Sequence, residues 1–397
     1  MRVLLVCDDY PPAGFGGGIV MALSIFNGLK AMGYPVQVVC TSPRNGAGRK
    51  QEGVYPVLTP KHVWMGEEPA GITEGYLTKD MATLNGILRS FRPTVIFFMH
   101  LWGLLTETIQ WIDDLPLPKV YRLGDEWPRL HYFKRRPNAA PLTANGVIAN
   151  NLDLLQRSDI WFQSSGLRRC IRNGVDLRIF TYQTPRLIRE PGDRPKRLLV
   201  SGRMVPHKGI HIAVEVLREL LRLDSPGWSL TLAGPWPKTN YEKAVRRQAA
   251  GLPVRITGLL SQPELARALH DHDIFLFTSP ERDRTRTIEG CPSALLEAWA
   301  CGIPVVARQT VGQKELLREG SNCLSTHSDD PSEYAGRVLA LSQRTDLIRR
   351  LSSESVFMVK KRYDRRHMIA NIAGFVRDCC RDHPDVERRI RIQRARL

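Results

Sequence analysis

Glu289-Gly-Cys-Pro-Ser-Ala-Leu-Leu-Glu297, continued by Ala298-Trp-Ala-Cys-Gly-Ile-Pro-Val-Val306, is the stretch whose reading decides the fold. It follows a short apolar run, Ile274–Thr278, closed by Ser279-Pro280, and it leads into another, Pro304–Ala307. Strand, loop, helix, strand is the unit of a parallel sheet. Pro292 suits the first position of a helix over Ser293–Ala300, where its missing N–H costs nothing. Glu289 then stands in the loop before the helix, and Glu297 about one turn inside. The N–H groups of Cys291, Ser293 and Ala294 and the helix dipole together would make a place for a diphosphate or for sugar oxygens. The two carboxylates flank that place and can accept hydrogen bonds from hydroxyls. Taken alone, the stretch has a plainer reading, with Glu289 as a cap and Glu297 as an ordinary surface residue.

Upstream, the same alternation repeats. Arg197–Ser201 reads as a strand and Ile210–Leu223 as a helix, joined by Gly202-Arg203-Met-Val-Pro-His-Lys208-Gly209. Arg203 and Lys208 therefore sit at a strand's carboxyl end, where a planar guanidinium and a mobile ammonium can reach an anion. Ser229–Ala233, Tyr241–Ala250, Val254–Thr257 and Pro263–His270 complete the pattern. In the first half the strands are Val3–Cys7, Val36–Thr41, Thr94–Met99, Lys119–Leu123 and Gly146–Ala149, with helices near Ile19–Met32 and Met81–Phe91. The expected fold is α/β: two doubly wound, Rossmann-like domains whose ligands lie beyond the carboxyl ends of the strands, in a cleft between the domains. The expected boundaries are an acceptor-side domain over 1–182 and a linker over 183–196, where Thr184–Pro195 is rich in proline and arginine. A donor domain over 197–360, a C-terminal helix over 361–385 crossing back to the first domain, and a basic tail over 386–397 follow. Pro331–Asp382 reads as helical, with Val338, Leu341, Leu347 and Leu351 at apolar spacing and Ile369–Val376 amphipathic enough to dock.

Composition sets the outer limits. The chain has 397 residues, 43% hydrophobic and 24% charged, as in an ordinary globular protein with room for two cores. No apolar run reaches the roughly 20 residues that span a bilayer. The opening MRVLLVCDDYPP turns acidic too soon for a signal peptide and reads as a buried strand. None of the 8 cysteines has zinc-site spacing, which suggests reduced thiols in a cytoplasmic protein. A formal charge of +17 favours anionic partners. Arg388–Leu397, with five arginines and no acid, reads first as a solvated tail and second as a contact with anionic membrane; nucleic acid is the least supported partner.

The joint pattern GRMVPHKG, LTLAGP, ITG, IFLFTSP, EGCPSALLEAWACGIPVVA and VGQKELLREGSNCL resembles the retaining glycosyltransferases of family 4, which have the GT-B fold. The first half matches more loosely through VLLVCDDYPPAGFGGG, RPTVIFFMH, VYRLGDEWP and NGVDLRIF. The resemblance implies transfer of a sugar from a nucleoside-diphosphate sugar to an acceptor hydroxyl, without a metal ion or other cofactor. It implies that Arg203 and Lys208 hold the donor diphosphate, that Glu297 holds the ribose hydroxyls, and that Glu289 holds the hydroxyls of the transferred sugar. Backbone amides around Cys291, Ser293 and Ala294 hold sugar and phosphate, and Gly16, Gly17 and Gly18 approach the phosphates from the first domain. The acceptor, a saccharide, a lipid or a small natural product, stays open.

Several features test or depart from that reading. Gly-Phe-Gly-Gly-Gly suggests a dinucleotide fingerprint, but the third required glycine is Ile19, and Thr41-Ser42 replaces the expected acid. Asp271-His-Asp273 has the form of a metal signature but precedes its strand, at the wrong sheet edge for a ligand, and reads as structural. Asp8-Asp9 lies at a carboxyl end with its role open. Family members carry a histidine where this chain has Gly124; His100, Asp125 and Glu126 are the groups left to act on the acceptor. That glycine motivates an alternative, a nucleotide-sugar-binding or partner protein with lost acceptor chemistry. Ser165–Arg172 is too short for both the helix and the strand the family places there. Gly53–Glu74, with His62, Trp64 and Met65, reads as an acceptor-side loop or a plain connection, and Tyr132–Arg136 as a basic aromatic surface.

Overall fold

A computed structural model of the chain describes residues 1–11, 16–42, 52–60, 74–163, 166–190, 196–223, 227–237, 240–280 and 289–381, the side chains of 74–76 and 311 excepted. The chain divides into two compact units, Met1–Arg172 with Met368 onward, and Asn173–His367.

The first unit runs β1 (Val3–Val6), α1 (Gly17–Ala31), β2 (Val36–Thr41), β3 (Val54–Leu58), α2 (Glu74–Phe91), β4 (Val95–Phe98), α3 (Thr106–Asp113) and β5 (Lys119–Leu123). A π-helical stretch Pro128–Phe133, β6 (Gly146–Ala149), α4 (Leu152–Arg157) and β7 (Leu167–Cys170) follow. Among the described residues its sheet has the order β3-β2-β1-β4-β5-β6-β7, parallel throughout. Alternate strand residues feed opposite faces: Leu4, Val6, Ile96 and Phe98 pack on one side, Val3, Leu5, Val95 and Phe97 on the other.

The second unit runs α5 (Arg186–Arg189), β8 (Lys196–Ser201), α6 (Ile210–Leu223), β9 (Trp228–Ala233), α7 (Asn240–Gln248), β10 (Val254–Gly258) and α8 (Gln262–Asp271). It continues through β11 (Ile274–Phe277), α9 (Ser293–Cys301), β12 (Val305–Arg308), β13 (Leu324–Thr326), α10 (Pro331–Ser342) and α11 (Thr345–Arg362). Its sheet has the order β10-β9-β8-β11-β12-β13, also parallel. The last helix among the described residues is α12 (Arg365–Arg381), whose Met368, Ile369, Ile372, Phe375 and Val376 complete one core face of the first unit. Glycine makes that docking close. A Cβ on Gly146 would lie 2.4 Å from Cys379 Sγ, and one on Gly28 2.7 Å from Ile369 Cγ2.

Both doubly wound halves match expectation; several local readings do not. Gly53–Glu74 holds a strand, β3, and α2 begins at Glu74 rather than Met81; His62, Trp64 and Met65 lie outside the described residues. Strand β3 contains a proline, Pro56, which its edge position tolerates. Ser165–Arg172 supplies a strand alone, β7, on the opposite edge. Asn173–Tyr182, read with the first half, belongs to the second unit because Val175 and Phe180 are buried beside Leu295 and Trp299. The proline- and arginine-rich linker carries α5, anchored by buried Arg186, whose Nη1 donates to Asp273 Oδ2 at 2.9 Å. Asp273 also accepts from Arg197 N at 2.7 Å, while His272 bridges Ala268 O and Thr231 Oγ1. The Asp271-His-Asp273 triplet thus ties elements together at the amino end of β11. All eight cysteines are free thiols. The basic tail lies outside the described residues.

Candidate active site

In the second unit, the turn after β8 is built on glycine. Gly202 has φ +136° and Gly209 φ +64°, conformations that side chains resist. Between them a 3-10 turn, Pro206–Lys208, presents Lys208. Thr278 Oγ1, at the end of β11, donates to Lys208 O at 3.1 Å and fixes the lysine backbone. The ammonium of Lys208 forms an ion pair with Glu289 Oε1, and Ser279 Oγ donates to Glu289 Oε2 at 3.4 Å. Both side chains keep some solvent access, 21% for Lys208 and 14% for Glu289. Arg203 lies five residues before Lys208 on the same loop.

The helix that Glu289 precedes begins at Ser293, as expected, with Pro292 as its cap residue rather than its first helical one. Among the described residues no side chain caps α9 and no acid stands in its first turn, so the amides of Ser293 and Ala294 and the positive end of the dipole can serve an anion. Cys291 is buried, and its carbonyl accepts from Asn173 Nδ2 at 2.6 Å. Glu297 stands one turn in. Burial pushes its carboxyl up to about 7, and the nearby Arg365 charge opposes that rise. The second unit thus places a lysine, an uncapped helix end and two carboxylates on two adjoining elements.

The first unit has its own cluster at the carboxyl ends of β1, β4 and β5. His100 sits between two glycines: a Cβ on Gly18 would lie 2.1 Å from His100 Cδ2, and one on Gly124 2.8 Å from His100 Cε1. A histidine side chain at 124 and the ring of His100 therefore cannot share this space. Asp125 Oδ2 is 4.0 Å from His100 Nδ1 and accepts from Trp102 Nε1 at 3.0 Å; its other oxygen accepts from Trp127 N at 3.0 Å. Asp8 donates its backbone N–H to His100 O at 2.8 Å. Burial first, then the neighbouring Asp9, raise the Asp8 carboxyl to about 7. Gly16, φ +134°, is the residue before α1 and Gly17 opens that helix.

Glu126 drops out as an acceptor base. It is buried and ion-paired to Arg129 and Arg157, so its carboxylate is already neutralised inside the fold. Sequence reasoning passed over Trp102, Thr278 and Ser279, which hold Asp125, Lys208 and Glu289. Only their places at strand ends signalled them.

A family described as glycosyl transferases group 1 matches residues 195–344. Glycogen synthase of Mycobacterium tuberculosis (strain H37Rv) is 30% identical over 374 residues, 85% of this chain and 85% of that protein. The chain belongs to the glycosyl transferases of group 1. The putative colanic acid biosynthesis glycosyltransferase WcaL of Escherichia coli K12 is 30% identical over 198 residues, so the match spans 48% of this group 1 chain and about half, 47%, of WcaL. HepE of Anabaena, solved in complex with UDP-glucose, superposes with TM-score 0.71 at 18% identity, covering 95% of this chain and 100% of HepE, a likeness of fold. The GT-B architecture of the group accounts for the two parallel sheets. Arg203, Lys208, Glu289 and Glu297 all fall inside the matched 195–344 segment.

Proposed function

We propose that this group 1 glycosyl transferase is a retaining, metal-independent enzyme of family 4 that moves a sugar from a nucleoside-diphosphate sugar to an acceptor hydroxyl. The observation that carries the reading is the Lys208–Glu289 pair at the uncapped start of α9. As the bond from the anomeric carbon to the diphosphate breaks, negative charge grows on the leaving oxygens. Lys208, Arg203 and the amides of Ser293 and Ala294 are the partners for that charge. Lys208 leaves Glu289 for the diphosphate, and the freed carboxylate accepts hydrogen bonds from the sugar hydroxyls. Glu297 takes the ribose hydroxyls, and Gly16 and Gly17 approach the phosphates without side chains. The acceptor oxygen adds to the anomeric carbon on the face the diphosphate leaves. Its proton passes to a leaving phosphate oxygen or to the His100–Asp125 pair.

Gly124 gave the alternative, a binding protein with lost acceptor chemistry, its motive. The His100 ring beside Gly124 favours an enzyme instead, because an imidazole still stands there. A basic tail and the +17 charge support, within the same proposal, a peripheral contact with anionic membrane. The direct test is transfer and hydrolysis from a panel of UDP-, GDP- and ADP-sugars, with thermal shift as the binding readout. Stabilisation by one nucleotide class with turnover of its sugar is the expected outcome; binding without turnover toward any acceptor hydroxyl returns the alternative.

Gly18→Ala checks the acceptor side. Its Cβ strikes the end of a side chain rather than backbone, so the ring yields and the fold stands. Transfer is expected to fall by about 10²-fold, the scale of general acid–base assistance, with donor KM unchanged. Equal loss after Gly18→Ala in a His100→Ala background would remove His100 from the chemistry.

Glu297 sets a pH dependence. Donor affinity is expected to weaken as pH falls through about 7, when the carboxylate gains its proton. The stability sign is opposite. A carboxyl whose folded value is raised contributes stability below its unfolded value, and that contribution is lost as pH rises through about 7. Glu297→Gln should therefore flatten the affinity profile at a weakened level and melt higher than wild type in alkaline buffer. A Gln variant that melts lower there, or binds donor normally, contradicts the assignment.

A further inference from the structure

The chain enters the second unit at Asn173 and leaves it at His367, and the two stretches are paired. Val175 and Asp364 form a parallel bridge: Val175 N donates to Tyr363 O at 2.8 Å, and Arg365 N donates to Val175 O at 3.0 Å. Side chains reinforce it. Asp176 Oδ1 accepts from Arg178 N and Nε at 3.0 Å each, and its Oδ2 accepts from Arg178 Nη2 at 2.8 Å and from Arg365 Nη1 at 3.5 Å. Each stretch also reaches the helix of the proposed donor site. Asn173 Nδ2 donates to Cys291 O at 2.6 Å, in the turn that opens α9. Arg365, only 18% exposed, stands near enough to Glu297 for each charge to act on the other, and its Nε is buried without a hydrogen-bond partner.

We propose that Asn173 and Arg365 are positioning residues of the donor site, Asn173 holding the entry to α9 through the Cys291 carbonyl and Arg365 setting the Glu297 carboxylate. The paired stretches that carry the chain into and out of the second unit are then part of the donor-binding apparatus. The inference rests on the donor reading of α9 given above. The physical logic differs for the two residues. Uncapped amides at a helix start have direction only if the turn before them is held, and the Asn173 amide is a specific tie on that turn. Glu297 loses its charge to burial unless a cation faces it. Arg365, largely buried where it pairs with Asp176, opposes that loss, and Cys301 is another titratable neighbour. Burial lowers the Arg365 guanidinium below its usual range and the Arg178 charge adds to that, while Asp176, Glu297 and Asp364 oppose it.

The two roles separate by pH. Affinity of the full chain for UDP, GDP and ADP is measured by calorimetric titration through the neutral range, for wild type, Asn173→Ala, Arg365→Gln, Arg365→Lys and Glu297→Gln. Asn173→Ala is expected to weaken binding about tenfold at every pH, the scale of one hydrogen bond to a charged or oriented group. Arg365→Gln is expected to move the affinity inflexion upward by about one pH unit, since a facing cation shifts a carboxyl by that order. Arg365→Lys should restore most of the shift. If Arg365→Gln does not fold, Arg365→Lys and Asn173→Ala carry the test, the lysine expected to show a smaller shift of the same sign. Wild-type affinity and inflexion in Asn173→Ala and both Arg365 variants, with Glu297→Gln still weakened, overturn the positioning roles and leave the donor site standing. A wild-type chain that binds none of the three nucleotides overturns both.

Discussion

Glu289→Ala is expected to lower transfer by about 10²- to 10³-fold, the scale of removing one oriented group at a reacting centre, while nucleotide product binds as tightly as before or more tightly. The split follows from the ion pair. The Lys208 ammonium is engaged by Glu289. A diphosphate must take the lysine from that carboxylate, so removing the carboxylate removes a competitor. What is lost is the acceptor of hydrogen bonds from the transferred sugar, which matters when the anomeric carbon reacts and little when a nucleotide alone binds. Lys208→Ala gives the complementary result, more than about tenfold loss of donor use with weaker nucleotide binding, as for a lost contact to a charged leaving group. The side chains touch, so the double variant should lose less than the sum of the two free energies. Steady-state transfer and nucleotide titration on the three variants decide it. Turnover by Glu289→Ala at the wild-type rate would remove Glu289 from its proposed role.

The distribution of what could be read from sequence has a physical cause. Parallel strands buried on both faces are continuous apolar runs, so β1, β2, β4, β8, β9, β11 and β12 stand out against the helices between them. Edge strands break the rule: β3 carries Tyr55 and Pro56 and reads as part of a loop, and β7, Leu-Arg-Arg-Cys with no residue buried, lies in a stretch that reads only as too short for a helix and a strand. Lys208 and Glu289 were legible because each sits where a strand ends and a helix opens, and their contact joins neighbouring strands β8 and β11. Glu126 misled for the same reason. It shares a strand end with Asp125, and only its pairing with Arg129, three residues on, and with the more distant Arg157 shows that it is spoken for. His100 shows the converse limit. A missing histidine at 124 is visible in the sequence, whereas the ring lying beside Gly18 and Gly124 depends on the spacing of β4 and β5 with α1.

The second large effect is expected from Gly209→Ala, and it is structural in origin. Gly209 ends the turn that presents Lys208, with φ +64°. A Cβ there would lie 1.9 Å from Thr278 O and 2.8 Å from Thr278 C, both backbone atoms at the end of buried β11. A side-chain tip can swing aside; a carbonyl at the end of a central strand cannot do so without moving Phe277 and the core beneath it. Left-handed backbone costs an alanine about 1 kcal/mol, and forced overpacking adds about 1–3 kcal/mol. The transition of the second unit should then fall by several degrees, at about 2–4 °C per kcal/mol for a unit of this size. Gly251→Ala is the matched control: φ is +76° and nothing lies within 4 Å of its Cβ, so it carries the backbone cost alone. The excess of Gly209→Ala over Gly251→Ala therefore measures the clash. Because Thr278 also donates to Lys208 O, relief of the clash must shift the lysine, and nucleotide affinity should fall together with stability in Gly209→Ala and not in Gly251→Ala. Equal melting temperatures for the two variants would mean that the turn can move away from β11, and that Lys208 is not held where the donor reading needs it.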